Sequence, residues 1–242
     1  MIIDANALFG ANADLPMDFP SELLGRLMEA HGIDQALVYS LVGLRSDTRL
    51  ATRQALDLAR RDTRFIPAGC INPIVYFDLH RQILDFTGKG VRFFRIFPET
   101  NNYPLQPYPP LQEVFEALEE SGAALVCAIT KPGTASELSE ATAAYSFPVI
   151  MVEAGYACMA EAIWVCRQSP RFYLETSRVS SAYGIETLVS EIGADRILYG
   201  SQAPRNYYGS SLFMVNDAQI DEQSKAHILG GNFQALIERS GK

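Results

Sequence analysis

The stretch at residues 149–176 reads VIMVEAGYACMAEAIWVCRQSPRFYLET and shows the pattern that recurs along the chain. It opens with an apolar run at 149–153, continues through a helical pattern at 159–168, and closes with a second apolar run at 172–176. Nearly continuous apolar runs are typical of parallel strands that are covered on both faces. The stretch therefore predicts a strand, a helix and a second, parallel strand.

The same alternation runs through the whole chain. Predicted strands cover residues 2–5, 35–40, 65–71, 91–97, 124–128, 149–153, 172–176 and 196–200. Predicted helices cover residues 21–31, 48–61, 76–86, 111–120, 135–145, 159–168 and 184–192, and a last helical segment at 222–237 is interrupted at Gly230-Gly231. Open doubly wound sheets more often have about five to seven strands. Eight strand and helix units therefore predict an α/β protein with a (β/α)₈ TIM barrel, as a single domain over residues 1–242.

Charge and composition narrow the classes of partner. The chain has 20 Lys and Arg residues against 28 Asp and Glu residues, a net charge of −8 that disfavours nucleic acid and anionic membranes. Met1 leads directly into an apolar strand pattern, and no window approaches a membrane span, so we expect a soluble, cytoplasmic protein. No C-x-x-C spacing occurs, and we expect structural thiols. The four cysteines are Cys70, Cys127, Cys158 and Cys166.

Six segments, in this order, resemble the amidohydrolase-related family, also known as the amidohydrolase 2 type of the amidohydrolase superfamily. They cover residues 2–5, 66–73, 90–98, 147–155, 196–204 and 225–232, and so span nearly the whole chain. The resemblance implies a metallo-dependent-hydrolase-like TIM barrel with its site at the carboxyl ends of the strands.

The resemblance also implies a divalent metal, held by a His-x-His pair after the first strand, by histidines after the fifth and sixth, and by an aspartate after the eighth. In this sequence these positions fall on Asn6, Leu8, Ala128, Glu153 and Gln202. The three histidines, His31, His80 and His227, all lie in helical patterns, which in a barrel form the outer ring. We therefore expect that the family-type metal site is missing and that the protein uses no cofactor.

Polar residues at the predicted strand ends form the candidate site. They are Asn6, Ser40, Asn72, Arg95, Glu99, Lys131, Glu153, Glu175, Ser177, Arg178, Gln202 and Arg205. Glu153 and Glu175 end neighbouring strands, and two nearby acids separate their pKa values so that one can act as a base. Asn6 or Gln202 would donate to a developing oxyanion. Substrate binding is assigned to Arg95, Arg178, Arg205, Asn72 and Ser177. Alternatively, these charges form only a structural ion-pair network.

Three functions remain open. The first is a metal-independent hydrolase or lyase acting on a small carboxylate, lactone or amide. The second is a catalytically inactive relative that binds a small metabolite or a protein partner. The third is a metal-dependent hydrolase with an atypical ligand set, such as Asp4, Asn6, Glu153 and Glu175. We expect a carboxylate-like ligand and a homodimer. The apolar segment 211–215 is one candidate contact of the dimer, although an internal helix packed on the base of the barrel explains it equally well.

Overall fold

The barrel wall is a sheet of parallel strands that follow one another in chain order. The structure is a computed structural model, and it describes residues 1–11, 17–75 and 77–239. The parallel strands are β1 (Ile3–Ala11), β3 (Gln35–Ser40), β4 (Phe65–Ile71), β5 (Phe93–Ile96), β6 (Ala124–Ala128), β7 (Val149–Val152), β8 (Phe172–Glu175) and β9 (Ile197–Leu198). A short strand, β2 (Asp18–Phe19), pairs antiparallel with the end of β1.

The sheet closes on itself between its first and last parallel strands. Ala5 N donates to Tyr199 O at 2.8 Å, Gln202 N donates to Asn6 O at 2.7 Å, and Leu8 N donates to Ala203 O at 2.9 Å. All three hydrogen bonds connect β1 to residues 199–203, the segment that directly follows β9. The prediction of an α/β TIM barrel is thereby confirmed.

Alternating side chains along each strand point into two separate hydrophobic clusters, one inside the barrel and one between the strands and the helices. In β5, Phe93 packs in the cluster inside the barrel, whereas Phe94 packs in the cluster between the strands and the helices. Because side chains alternate between the two faces of a strand, Arg95 lies on the same face as Phe93, toward the barrel axis. Phe233 stacks on Phe93 with 4.9 Å between ring centroids. Aromatic packing therefore fills one end of the barrel, while polar side chains gather at the other.

Helices cover the outside of the sheet. They are α1 (Ser21–His31), α2 (Thr48–Arg61), α3 (Leu79–Thr87), α4 (Pro98–Asn101), α5 (Pro110–Ser121), α6 (Thr134–Ala141), α7 (Tyr156–Gln168), α8 (Gly184–Ile192), α9 (Tyr208–Asn216), α10 (Glu222–Ala226) and α11 (Asn232–Arg239). Two 3₁₀ turns cover Leu41–Leu44 and Ala194–Arg196, and a π-helical segment covers His227–Gly231.

Several predicted boundaries differ from the structure. The helix expected at 76–86 begins at Leu79, and the expected starting residue, Tyr76, lies outside the described part of the chain. The helix expected at 135–145 ends at Ala141, so that prediction was too long. Tyr145 instead packs against Phe115 and Phe147, with ring centroids 5.6 Å from each. Its apolar spacing reflects this aromatic cluster and not a further helical turn.

Candidate active site

A cavity of about 250 Å³ opens at the carboxyl end of the barrel strands. Side chains from β1, β3, β5 and β6 and from the segments after β7 and β9 form its wall. The lining residues are Leu8, Tyr39, Leu41, Leu44, Arg45, Arg95, Phe97, Pro98, Glu99, Thr100, Ala128, Thr130, Glu153 and Arg205. An apolar wall with a few charged groups is the usual form of a small-molecule site.

Arg95 is the buried cation of this cavity, with only 3% of its side chain exposed. Its Nη1 donates to Asn6 Oδ1 at 2.7 Å, and its Nη2 forms a short ion pair with Glu153 Oε1. The guanidinium also lies over the Tyr39 ring, 4.2 Å from the centroid, and over the Phe97 ring at 5.4 Å. Two hydrogen bonds and two aromatic faces therefore fix its position.

Glu153 follows β7 with a φ of 61°, a left-handed conformation that is uncommon for a residue other than glycine. Only 12% of its side chain is exposed. Oε1 is engaged by Arg95, whereas Oε2 accepts no hydrogen bond from any residue that the structure describes. Glu153 therefore presents one engaged and one available carboxylate oxygen at the cavity wall. Strained backbone of this kind is most common at functional sites.

Glu175, at the end of β8, is fully buried beneath the cavity and is not part of its wall. All of its hydrogen-bond partners can donate: Oε2 accepts from Asn6 Nδ2 at 3.1 Å, from Ser177 Oγ at 2.9 Å and from Glu153 N at 3.2 Å. Oε1 accepts a short hydrogen bond from Ser177 N. Burial raises the pKa of Glu175 to about 7, although these hydrogen bonds favour the charged form and lower it. The acid thus titrates close to neutral pH.

Asn6 links the buried acid to the buried arginine. The pairing of β1 with β3 is irregular between Asp4 and Ala7, which is where Asn6 lies. Its Nδ2 donates to Glu175 while its Oδ1 accepts from Arg95. The amide therefore completes a continuous series of hydrogen bonds from Glu175 through Arg95 to Glu153.

Asp4 and Gln202 connect the first and last parallel strands below the cavity. Asp4 Oδ1 accepts from Ser201 N at 3.0 Å, and Asp4 Oδ2 accepts from Ser201 Oγ at 2.5 Å. Burial raises the pKa of Asp4 above its ordinary value, although the hydrogen bonds from Ser201 and Asn6 lower it. Gln202 has a φ of 60°, and its Oε1 accepts from Asn206 Nδ2 at 3.2 Å. Neither Asp4 nor Gln202 lines the cavity.

The structure brings only some of the expected substrate-binding residues together. Arg205 lines the cavity and is exposed, with no hydrogen bond or ion pair to any part of the chain that the structure describes. Ser177 is a partner of Glu175 and lines a neighbouring groove. Asn72 is buried, and its Oδ1 accepts from Ile74 N at 3.1 Å. Arg178 lines a different groove, beside α7, and does not reach the cavity.

Several cavity residues escaped the sequence reasoning. Tyr39, Phe97, Arg45 and Thr130 all line the wall. The two aromatic residues are part of apolar runs and look like ordinary core in the sequence. Thr130 donates a short hydrogen bond to Glu99, and Arg45 Nη1 donates to Thr100 O at 3.3 Å. The shared position of Tyr39, Phe97 and Thr130 at or just after strand ends was the available signal.

The side chains present do not fit the divalent metal that the resemblance implies. Asn6 Oδ1 and Glu153 Oε1, at two of the expected ligand positions, both bind the Arg95 guanidinium, and Leu8 offers no donor atom. The three histidines lie in α1, in α3 and in the π-helical segment. Among the described residues, no group of three or more His, Cys, Asp or Glu side chains is placed to hold a metal ion. No described helix is long and apolar enough to cross a membrane.

Solved structures that share this fold over nearly their full length include the following three. An uncharacterized TIM-barrel protein from Bordetella bronchiseptica is 16% identical, with a TM-score of 0.80 and coverage of 100% of this chain and 99% of that chain. A 5-carboxyvanillate decarboxylase from Novosphingobium aromaticivorans, complexed with manganese and 4-hydroxy-3-methoxy-5-nitrobenzoic acid, is 15% identical, with a TM-score of 0.77 and coverage of 98% and 96%. A putative 2-pyrone-4,6-dicarboxylic acid hydrolase from Pseudomonas putida is 15% identical, with a TM-score of 0.76 and coverage of 98% and 97%.

A search of curated proteins gave no significant match. The sequence profile of the family described as Amidohydrolase, by contrast, matches residues 4–236, nearly the whole chain. The six segments that suggested this resemblance all fall within that range, apart from the first two residues of the first. On this match, the chain belongs to the amidohydrolase family.

Proposed function

We propose that the protein is a metal-independent hydrolase or lyase that acts on a small carboxylate, lactone or amide. One observation carries the proposal: the cavity combines a cation, Arg205, with a carboxylate, Glu153, and among the residues that the structure describes neither Arg205 nor Glu153 Oε2 has a hydrogen-bond or ion-pair partner. Structural neighbours include a decarboxylase and a putative hydrolase whose names specify carboxylic acids, which supports this class of substrate.

Arg205 is the proposed anchor for the carboxylate of the ligand. A guanidinium binds a carboxylate through two parallel hydrogen bonds. Among the described residues Arg205 has no partner, so binding of a ligand would break no described hydrogen bond or ion pair of Arg205. Tyr39, Phe97 and Leu8 supply an apolar surface for the body of the ligand. Sites for drug-sized ligands usually measure about 300–1,000 Å³. A cavity of about 250 Å³ therefore favours a smaller molecule.

Glu153 is the proposed base. Its Oε2 would accept a proton from water or from a carbon beside a carbonyl group, while the ion pair with Arg95 holds Oε1 in place. The Arg95 guanidinium would stabilise the negative charge that develops on the substrate oxygen. Asn6 and Gln202 do not line the cavity, so in this proposal they position other groups and do not touch substrate. Glu175 supports Asn6 and the Glu153 backbone from below.

The experiment combines a ligand screen with matched arginine variants. A thermal-shift screen of small carboxylates and lactones identifies binders, and turnover of each binder is then followed by chromatography. Arg205→Ala should weaken binding of a carboxylate by at least about tenfold, because a charge-assisted hydrogen bond contributes about 1.5–3 kcal/mol. Arg178→Ala is the control: it also removes an exposed arginine that follows a strand, but one outside the cavity.

Glu153→Gln separates catalysis from binding. The proposal expects that this variant still binds the carboxylate but loses at least about a hundredfold in turnover, the usual contribution of a general base. Equal turnover by wild type and Glu153→Gln would contradict the assignment of the base. A ligand that binds through Arg205 but is never converted would favour the inactive, metabolite-binding relative instead.

A further inference from the structure

The position of Arg95 inside the barrel explains why the expected metal ligands do not form a metal site. Its guanidinium lies between Asn6 and Glu153, two side chains at positions where the family resemblance implies metal ligands. A structural neighbour with the same fold was solved with manganese. In this chain, a side chain of the protein already supplies a positive charge among these residues.

We infer that the Arg95 guanidinium is a built-in cation that takes the place of the divalent metal and excludes it. The inference deepens the proposed function, since it gives a reason for metal independence, but its test does not depend on turnover.

The residues around Arg95 form a binding site for a planar cation. The carbonyl oxygen of Asn6 and one carboxylate oxygen of Glu153 accept from two different nitrogens of the guanidinium. The rings of Tyr39 and Phe97 lie against its faces. Aromatic faces attract a guanidinium but give a small divalent ion no oxygen ligands. The site therefore favours the arginine over a divalent metal ion.

Two physical effects oppose a metal ion at this position. A divalent cation would face the positive charge of Arg95 at short range in a water-poor site, where repulsion is weakly screened. It would also have to displace Arg95 from Asn6 and Glu153, which would leave the 3% exposed guanidinium buried without its partners. Removal of the positive charge relieves both effects at once.

The test measures manganese binding to wild type and to two variants at Arg95. Protein is purified without a histidine tag, dialysed against chelator, and titrated with Mn²⁺ while bound metal is measured by elemental mass spectrometry and the melting temperature by thermal shift. We expect wild type to bind no stoichiometric manganese. Arg95→Met removes the charge but keeps an unbranched stem, and should bind Mn²⁺ at least about tenfold more tightly than wild type. Its melting temperature should be lower and should rise when Mn²⁺ is added.

Two controls separate charge from general loosening of the site. Arg95→Lys keeps the positive charge and should still exclude Mn²⁺. Arg205→Met removes an arginine from the same cavity that forms no hydrogen bond or ion pair with Asn6 or Glu153, and should gain no manganese affinity. If Arg95→Met does not fold, Arg95→Gln, which also removes the positive charge but keeps a polar side chain beside Asn6 and Glu153, takes its place in every comparison.

The inference is overturned if wild type binds one equivalent of Mn²⁺ whose removal lowers its melting temperature, or if folded Arg95→Met and Arg205→Met respond equally to the metal. Its failure is distinct from failure of the proposed function. A wild-type enzyme that needs manganese for turnover would overturn the role of Arg95 and metal independence, yet keep hydrolase or lyase chemistry. A protein that excludes manganese but converts no ligand would leave the role of Arg95 intact.

Discussion

The raised pKa of Glu175 makes the stability of the barrel depend on pH in a defined direction. The folded protein binds this proton more tightly than the unfolded chain, because burial lifts the pKa from 4.5 to about 7. The free energy of unfolding therefore falls as pH rises from about 4.5 to about 7, and this component is constant outside that window. At 1.36 kcal/mol for each pKa unit, the component amounts to about 3 kcal/mol.

Glu175→Gln removes this titration. The amide of the variant cannot ionise. Its NH₂ group faces hydrogen-bond donors, because the Glu175 carboxylate accepts four hydrogen bonds in wild type, so the variant should be less stable than wild type at about pH 5. That loss does not depend on pH. Between about pH 5 and about pH 8, the difference in unfolding free energy should shift by about 3 kcal/mol in favour of the variant.

Urea unfolding followed by circular dichroism at several pH values gives this difference directly. Glu161→Gln serves as the control: burial raises the pKa of Glu161, but hydrogen bonds from Ser136 and Gly133 outweigh that effect and lower it. The contribution of Glu161 to stability is lost only as pH falls below this window. The difference in unfolding free energy between Glu161→Gln and wild type should therefore stay constant within the window. If the Glu175→Gln difference also stays constant within about 0.5 kcal/mol, the raised pKa is refuted.

Two further predictions concern packing and thiol chemistry. Gly200→Ala should lower the free energy of unfolding by at least about 1–3 kcal/mol in urea, because the added Cβ would overlap the Glu175 carboxylate. A Cβ added at Gly155 meets nothing within 4 Å, so Gly155→Ala should change the free energy of unfolding little. Equal effects of the two substitutions would contradict this account. All four cysteines are buried, and burial raises the pKa of three of the thiols to about 12. The native protein should therefore react with a thiol reagent only after denaturation, as measured by absorbance, and rapid labelling of the folded protein would contradict this. The three thiols with a pKa of about 12 are those of Cys70, Cys127 and Cys166.

The barrel could be predicted from sequence because strands buried on both faces leave a strong pattern. The run at 149–153 led to β7, and the run at 172–176 led to β8, each to within a residue. The end of the last strand was harder to predict. Only Ile197–Leu198 pairs regularly with β8, whereas Tyr199 forms hydrogen bonds with the π-helical segment and with β1. Contacts between distant segments decide that boundary, and a local pattern does not contain them.

The side chains that line the candidate site were harder to predict from sequence than the strands. Arg178 and Arg205 look alike in the sequence, since each is a cation shortly after a strand, yet only Arg205 lines the cavity. The difference arises from the directions of the two connecting segments. Likewise, the sequence suggested that Glu153 and Glu175 would act as a pair of carboxylates. In the structure Glu175 lies below and accepts from the Glu153 backbone, whereas the Glu153 carboxylate binds Arg95.

Charge balance distinguishes Arg95 from Arg205, two of the three arginines that line the cavity. Asn6 links Asp4, Glu175 and Arg95 by hydrogen bonds, and Arg95 in turn pairs with Glu153. Burial of these three acids as anions beside the one cation, Arg95, would be costly. Burial raises the pKa values of Asp4 and Glu175, so each has a greater tendency to remain neutral, while Glu153 pairs with Arg95. The positive charge of Arg95 is therefore largely balanced inside the protein. No described residue pairs with Arg205, so the proposed function assigns to Arg205 the attraction of an anionic ligand to a protein with a net charge of −8.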